Sequence, residues 1–270
     1  MLKRIVVGAS LAGVGWLTWF QARRWWATWG MDPAEQTRAL PGDEIVADGA
    51  TILTRGITID APPEAVWPWL VQMGFGRAGW YSYDRLDMKG RSADAIVPEF
   101  QELSVGDVLP THPDGGFEVR LVEPGRALVV YLDTKIAQAW KTEPADSIER
   151  TETKGSATSV GFTGARTPPD FTVSWAWVLE PAGAGRTRLI ERVRGRFDPG
   201  DGRSKAMVPA VGFGAFVMLR RQLLGIRARV EHAEPWRPKA EPADTRATTL
   251  VETNGKGDGQ APETVVASAG

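Results

Sequence analysis

The chain has 270 residues, a formal net charge of −1 and 43% hydrophobic residues, which is typical of a globular protein. This balance excludes a global basic field, so no nucleic-acid partner is expected. Cysteine is absent, which excludes disulfides and thiol chemistry.

The first predicted element is an apolar run near the N-terminus. Residues 5–20 carry no charge, and residues 5–22 approach the roughly 20 residues that cross a bilayer. The run predicts a single-pass membrane protein with a transmembrane helix as its N-terminal anchor, residues 1–30, and it leaves the side of the membrane open. The alternatives are a cleaved signal peptide, although no small-x-small cleavage site follows, and a soluble or surface-lying helix. Five tryptophans suit an aromatic belt at one interface, namely Trp16, Trp19, Trp25, Trp26 and Trp29.

A polar linker then leads into a folded domain. Residues 31–50 are rich in turn formers and are interpreted as a linker that becomes the first ordered segment of the domain. Residues 51–87 predict a strand, a short aromatic-rich helix, a glycine turn and a second aromatic segment. The strand is indicated by the alternation of Ile57, Thr58 and Ile59.

The glycine turn, residues 74–79 with the sequence GFGRAG, matches a dinucleotide-binding pattern. That motif must follow a strand and open a helix, whereas this one follows a helix, so we expect a tight turn and no cofactor. Trp80, Tyr81 and Tyr83 come next, beside Asp84. Aromatic residues with polar tips fit the mouth of a pocket, and they fit equally well a plug at the end of the domain.

Strands are predicted over residues 98–132, where an inward set of Phe117, Val119 and Leu121 would leave Glu118 facing outward. Residues 133–170 predict a long insertion loop with a short helix near residues 136–140. Residues 171–197 form the clearest hairpin. Its first strand places five apolar residues on one face: Phe171, Val173, Trp175, Trp177 and Leu179. The two tryptophans either line a broad apolar cavity or fill a core.

A long terminal helix is predicted over residues 203–232. Its early part includes Phe213, Phe216 and Val217 and is apolar all round, which we interpret as a helix end buried over the cavity. A second membrane span is rejected because the run is too short and holds a proline and two glycines. Residues 234–270 are predicted to be a disordered tail.

Several blocks of the sequence resemble the START-like (SRPBCC) superfamily, which includes polyketide cyclase/dehydrase and lipid-transport proteins. The blocks are ITIDAPPEAVWPWLVQMGFGRAGWYSYDRLD, PGDEIV, PEFQELSVGDVLP, WAWVLEPAGAGRTRLIERVRGRF and LLGIRARVEHA, and they span roughly residues 38–233. The resemblance is to an uncharacterised, membrane-anchored branch. It implies an α+β helix-grip fold over residues 51–233, with a curved antiparallel sheet around a long C-terminal helix.

The leading functional hypothesis is membrane-tethered binding or transport of a hydrophobic small molecule or lipid between the sheet and the terminal helix. A cyclase- or dehydratase-type enzyme is the alternative, with Asp84, Glu99 or Glu118 as the acid or base. A third reading is an interaction scaffold at the membrane with a filled core. No metal site is expected, and the sequence leaves the oligomeric state open. The predicted lining residues are Trp80, Tyr81, Tyr83, Trp175, Trp177, Phe213, Phe216 and Val217.

Overall fold

The structure is a computed structural model, and it describes residue 19 and residues 21–49, 51–87, 90–113, 115–142, 170–198 and 202–233. Most of the predicted anchor, most of the insertion loop and the predicted tail lie outside the described residues. In chain order the elements are α1 (Pro33–Thr37), β1 (Thr51–Ile59), α2 (Pro63–Val71), α3 (Asp84–Asp87), a 3-10 turn (Pro98–Phe100), β2 (Val108–His112), β3 (Gly115–Glu123), β4 (Ala127–Asp133), α4 (Thr134–Thr142), β5 (Asp170–Pro181), β6 (Thr187–Asp198) and α5 (Gly202–His232).

All six strands form one antiparallel, curved sheet in the order β1-β6-β5-β4-β3-β2. The two short helices α2 and α3 lie between β1 and β2 in the chain, and α5 is the last element of the domain. The predicted α+β architecture, a curved antiparallel sheet with a long C-terminal helix, is therefore confirmed. The short helix predicted in the insertion is also present, as α4, and it begins directly where β4 ends.

The main core lies between the inner face of the sheet and helix α5. The predicted inward face of β5 is confirmed, because its five alternating apolar residues all belong to this core. From α5, four residues at helical spacing pack against them: Leu219, Leu223, Ile226 and Val230. The inner face is consequently built mainly from large apolar side chains.

A β-bulge in β3 changes the predicted alternation. Phe117 and Val119 face the main core as expected, but the pairing with β4 shifts between Val119 and Leu121. The extra residue moves Leu121 to the outer cluster and leaves Val122 against the main core. The expectation that Leu121 shares the face of Phe117 is therefore wrong.

The outer face of the sheet is covered by residues 31–49, which include α1. Leu40 packs there on a small apolar cluster of Ala127, Val178 and Ile190. The outward arginines of β6 bind the same segment, because Arg188 pairs with Glu35 and Arg192 with Asp43. The polar segment thus forms part of the folded domain.

The chain before α1 also contacts the domain. Residues 21–27 are helical, and the Trp29 carbonyl accepts a hydrogen bond from the Gly56 amide of edge strand β1 at 3.1 Å. No helix within the described residues is long and apolar enough to cross a membrane. The predicted anchor remains a prediction, since its residues 5–18 lie outside the described residues.

Candidate ligand-binding site between the sheet and the terminal helix

Two charged side chains lie on the inner, otherwise apolar face of the sheet. Arg55 of β1 is the register partner of Glu191 of β6, and Glu191 is in turn the partner of Trp177 of β5. Arg55, Glu191 and Trp177 are each 0% exposed. Strand alternation puts them inside, since Arg55 follows Leu53 and precedes Ile57 at spacings of two residues.

Arg55 uses only part of its hydrogen-bonding capacity. Its Nε donates to the Trp26 carbonyl at 3.0 Å, and its guanidinium carbon lies 5.6 Å from the centre of the Phe216 ring. Nη1 and Nη2 are buried and have no hydrogen-bond partner among the described residues. Burial lowers the pKa of Arg55, and the nearby charge of Glu191 opposes this effect.

Glu191 is similarly half satisfied. Its Oε1 accepts a hydrogen bond from Trp175 Nε1 at 2.8 Å, whereas Oε2 is buried without a partner in the described part of the chain. Burial raises the pKa of Glu191 to about 7, while the positive charge of Arg55 and the bond from Trp175 act in the opposite direction. This carboxyl can therefore gain or lose a proton near neutral pH.

A stack of aromatic rings surrounds the carboxyl. Trp175 stacks on Trp80 with ring centres 5.4 Å apart and planes 10° from parallel. The ring centres of Trp175 and Trp177 lie 4.3 Å apart. The edge of Phe117 meets Trp175 at 5.8 Å. Trp177 Nε1 is another buried donor that lacks a partner in the described structure. The rings offer flat apolar surface, and the indole nitrogen adds a polar point.

The unpartnered atoms point to a polar group that completes the cluster. Arg55 and Glu191 form no ion pair with each other in the described structure, because their charged nitrogen and oxygen atoms lie more than 4.0 Å apart. A buried, unpartnered charged atom costs several kcal/mol, and native proteins generally satisfy such groups. A hydroxyl between the two side chains could accept a hydrogen bond from the guanidinium and donate one to the Glu191 carboxylate.

The predicted lining residues separate into several environments. Trp80, Trp175 and Trp177 come together in the stack just described. Tyr81 is buried elsewhere, where its hydroxyl accepts a hydrogen bond from Gln72 Nε2 at 2.8 Å and its ring packs on Trp69. That environment favours a structural role for Tyr81.

The remaining predicted lining residues differ in their exposure to solvent. Tyr83 is 41% exposed and borders a surface groove. Phe213 is 47% exposed and packs on Trp26, whereas Phe216 is buried beside Arg55. Val217 is half-buried. Among these four residues, Phe216 is the one whose ring lies against the Arg55 guanidinium in the described structure.

The three predicted carboxylates lie outside this interior. Glu99 is exposed, and Glu118 pairs with Arg120 at 3.0 Å. Asp84 borders the surface groove and accepts a hydrogen bond from Ser92 Oγ at 2.5 Å. The desolvated carboxyl is Glu191 instead, which sequence reasoning missed. Its signal was present in the sequence, because the alternation that turns Leu189 and Val193 inward also turns Glu191 inward.

Concave regions at the surface of the described structure include a groove and a smaller pocket. A groove of about 650 Å³ runs between α3 and α5, lined in part by Tyr83, Arg85 and Arg220. A smaller pocket of about 190 Å³ lies at one end of the β5–β6 hairpin, beside Phe171 and Phe197. Neither of these two regions includes Arg55 or Glu191. The cluster is enclosed, because Arg55, Glu191 and Trp177 are fully buried.

No protein-family model matches the chain, and no curated protein matches it. Among solved structures, a hypothetical protein from Helicobacter pylori is similar at 14% identity and a TM-score of 0.38, over 70% of this chain and 94% of that one. A protein from Mesorhizobium loti is similar at 18% identity and a TM-score of 0.35, over 68% and 98%. DynU16, from the dynemicin biosynthetic locus, is similar at 16% identity and a TM-score of 0.33, over 68% and 48%. Superpositions this weak carry no argument about function.

Proposed function

We propose that the domain binds a hydrophobic small molecule or lipid between the sheet and α5, and that residues 5–22 tether it to a membrane. The observation that supports the site is the buried cluster with unpartnered atoms on Arg55, Glu191 and Trp177. Ligand sites are mostly apolar with a few polar groups that orient the ligand, and this cluster has that composition. Because the cluster is enclosed, entry of a ligand requires side chains around it to move.

The cluster also favours one kind of polar group on the ligand. A carboxylate would be attracted by Arg55 but repelled by ionised Glu191, and an ammonium would be attracted by Glu191 but repelled by Arg55. A neutral hydroxyl satisfies both side chains, since it can accept from the guanidinium and donate to the carboxylate. We therefore propose an apolar molecule that carries a single hydroxyl or a similar neutral donor–acceptor group.

The test compares what three versions of the full chain carry after identical purification. Wild type, Arg55→Met and Arg186→Met are extracted with organic solvent, and the released molecules are quantified by mass spectrometry. Arg186 is exposed on the β5–β6 turn and serves as the control. Molecules held by the tether alone should be equal in all three samples. A hydroxyl-bearing passenger in wild type and Arg186→Met, and absent from Arg55→Met, supports the site. Identical extracts would contradict it, and extracts that all lack a passenger would favour a scaffold with a filled core.

The pKa of Glu191 favours one second candidate, an enzyme that uses this carboxyl as general acid or base. A pKa of about 7 suits proton transfer at neutral pH, where both protonation states are populated. Glu191→Gln keeps the size of the side chain and removes its ability to transfer a proton. If the domain is an enzyme, Glu191→Gln should still bind the passenger but leave it chemically unchanged, so its extract should differ from that of wild type. If the domain is a carrier, wild type and Glu191→Gln should hold the same molecule.

A further inference from the structure

An aromatic surface lies where the chain leaves the predicted anchor and joins the domain. Trp25 is 58% exposed, Trp19 is 43% exposed and Phe213 is 47% exposed. Trp19 and Phe213 both pack on buried Trp26, with ring centres 5.4 and 5.3 Å away. Trp25 packs on buried Phe216 at 5.3 Å, and Phe216 lies 6.1 Å from Phe213, so the rings form one connected group. Single exposed apolar residues are ordinary, but a connected group of large ones marks an interaction surface.

Arginines adjoin this aromatic surface. Arg23 and Arg24 are exposed on the helical residues 21–27. The groove between α3 and α5 adds Arg85, Arg220 and Arg221, and Arg220 joins it to the N-terminal segment by stacking 4.8 Å above the ring of Trp29. Asp84 is the acidic residue in the lining of this groove as described, and Asp87 lies at the end of α3. Positive charge therefore dominates the area.

We infer that this aromatic and arginine surface rests on the headgroup region of an anionic phospholipid bilayer. Tryptophan concentrates at membrane interfaces because its ring is apolar and its N–H is polar. Arginines near an anionic leaflet each favour the bound state by roughly fivefold. The chain itself points to this occupant, since residue 19 directly continues the uncharged run of residues 5–18.

The inference goes beyond the ligand site and shares only the tether with the proposed function. A tether alone would leave the domain free in the water, whereas the surface would hold it against the bilayer. The edge of the sheet that faces the bilayer would be β1, because residues 26–30 join its Arg55 and Gly56 to the aromatic surface. The opposite edge, β2, would face away.

The test uses the full chain in lipid vesicles, with one cysteine introduced at a time, because the natural chain has none. A fluorescent dye is attached at Gly214→Cys, which is exposed next to Phe213 and has open space for a side chain. The matched control is Val105→Cys, which is 63% exposed near β2. A third label at Ala12→Cys reports on the tether. Spin-labelled lipids then quench any dye that lies in the bilayer.

We expect shallow spin labels to quench the Gly214 dye and to leave the Val105 dye bright. Phosphatidylglycerol should increase this quenching over phosphatidylcholine alone, and Arg85→Gln/Arg221→Gln should lower the docked-to-free ratio by roughly 30-fold. A bright Gly214 dye beside a quenched Ala12 dye would overturn the inference and keep the tether. A Gly214 dye shielded from aqueous iodide but not quenched by lipid would also overturn it, and would assign the surface to a protein partner or a second copy.

Discussion

Two buried arginines on opposite faces of the sheet differ in how well they are paired. On the outer face, Arg192 is 3% exposed and all three of its side-chain nitrogens have partners. These include the Asp43 carboxylate at 2.6 Å and the Thr54 hydroxyl at 3.0 Å. On the inner face, Arg55 is 0% exposed and uses only Nε. Full pairing explains Arg192 as a structural clamp, whereas Arg55 lacks such an explanation.

This difference shows where the chain keeps a buried charge that destabilises the fold. A buried charge that is fully paired holds a segment in place, as Arg192 holds residues 31–49. A buried charge that is partly paired destabilises the fold unless something else completes it. Natural sequences retain such costs mainly at functional sites, which is why the inner cluster carries the functional proposal.

The largest expected effect is on the outer face. Arg192→Met would remove the hydrogen bonds to the Arg38 carbonyl and the Thr54 hydroxyl and would leave Asp43 with Arg194 as its remaining cation, at 3.6 Å, among the described residues. We therefore expect the free energy of unfolding to fall by about 3–5 kcal/mol. Urea denaturation measures the change. Arg196→Met is the matched control, because Arg196 pairs with Asp48 at the exposed end of the same strand and should cost less than about 1 kcal/mol. Equal losses of unfolding free energy in the two variants would show that Arg192 does not hold residues 31–49 in place.

On the inner face the expected sign is opposite. Arg55→Met/Glu191→Met removes both half-paired charges together, and we expect a free energy of unfolding that is unchanged or higher by about 1–4 kcal/mol. The same variant should lose its hydrophobic passenger, as measured by extraction and mass spectrometry. A loss of stability as large as that of Arg192→Met would show that the inner charges are structural too, and the comparison between the faces would fail.

The pH dependence of stability tests the environment of Glu191. Burial raises its folded pKa to about 7, against 4.5 for an unperturbed carboxyl. Between pH 4.5 and about 7 the folded state binds more protons than the unfolded state, so the free energy of unfolding falls as pH rises. Below pH 4.5 the stabilising contribution of protonated Glu191 is fully present. The slope approaches about 1.4 kcal/mol per pH unit within the window. The difference between wild type and Glu191→Gln, measured by urea denaturation from pH 4 to about 8, isolates this group. A flat difference would contradict a raised pKa.

Much of the fold could be predicted because periodicity records it. The alternation in β5 and the apolar stripe of α5 follow directly from which side chains face the core. The bulge near Arg120 could not be read in this way, since it depends on the pairing of β3 with β4. Sequence alternation predicts faces within a strand and does not reveal where a neighbouring strand shifts register.

The site was harder to predict than the fold. Trp80, Trp175 and Trp177 were expected near a ligand and do come together, because aromatic residues in an inward pattern converge on the interior. Glu191 was missed because it lies in a highly charged segment, RTRLIERVRGRF, in which a single glutamate among several arginines is expected to face solvent with them. The pairing of Arg55 with Glu191 requires the contact of β1 with β6, which lie far apart in the chain and are hard to match from sequence.

The smallest effect separates the two neighbouring tryptophans of the cluster. Trp175 Nε1 donates to Glu191, and this bond lowers the pKa of the carboxyl, whereas Trp177 Nε1 has no partner among the described residues. Trp175→Phe should therefore raise the pKa of Glu191 further, because the ionised carboxylate loses a hydrogen bond that stabilises it by about 1.5–3 kcal/mol. Trp177→Phe should not raise it, because no bond to Glu191 is lost. The measurement is the midpoint of the Glu191-dependent pH profile in each variant. An upward shift of the same size in both would mean that ring volume, and not the Trp175 hydrogen bond, sets the pKa of Glu191.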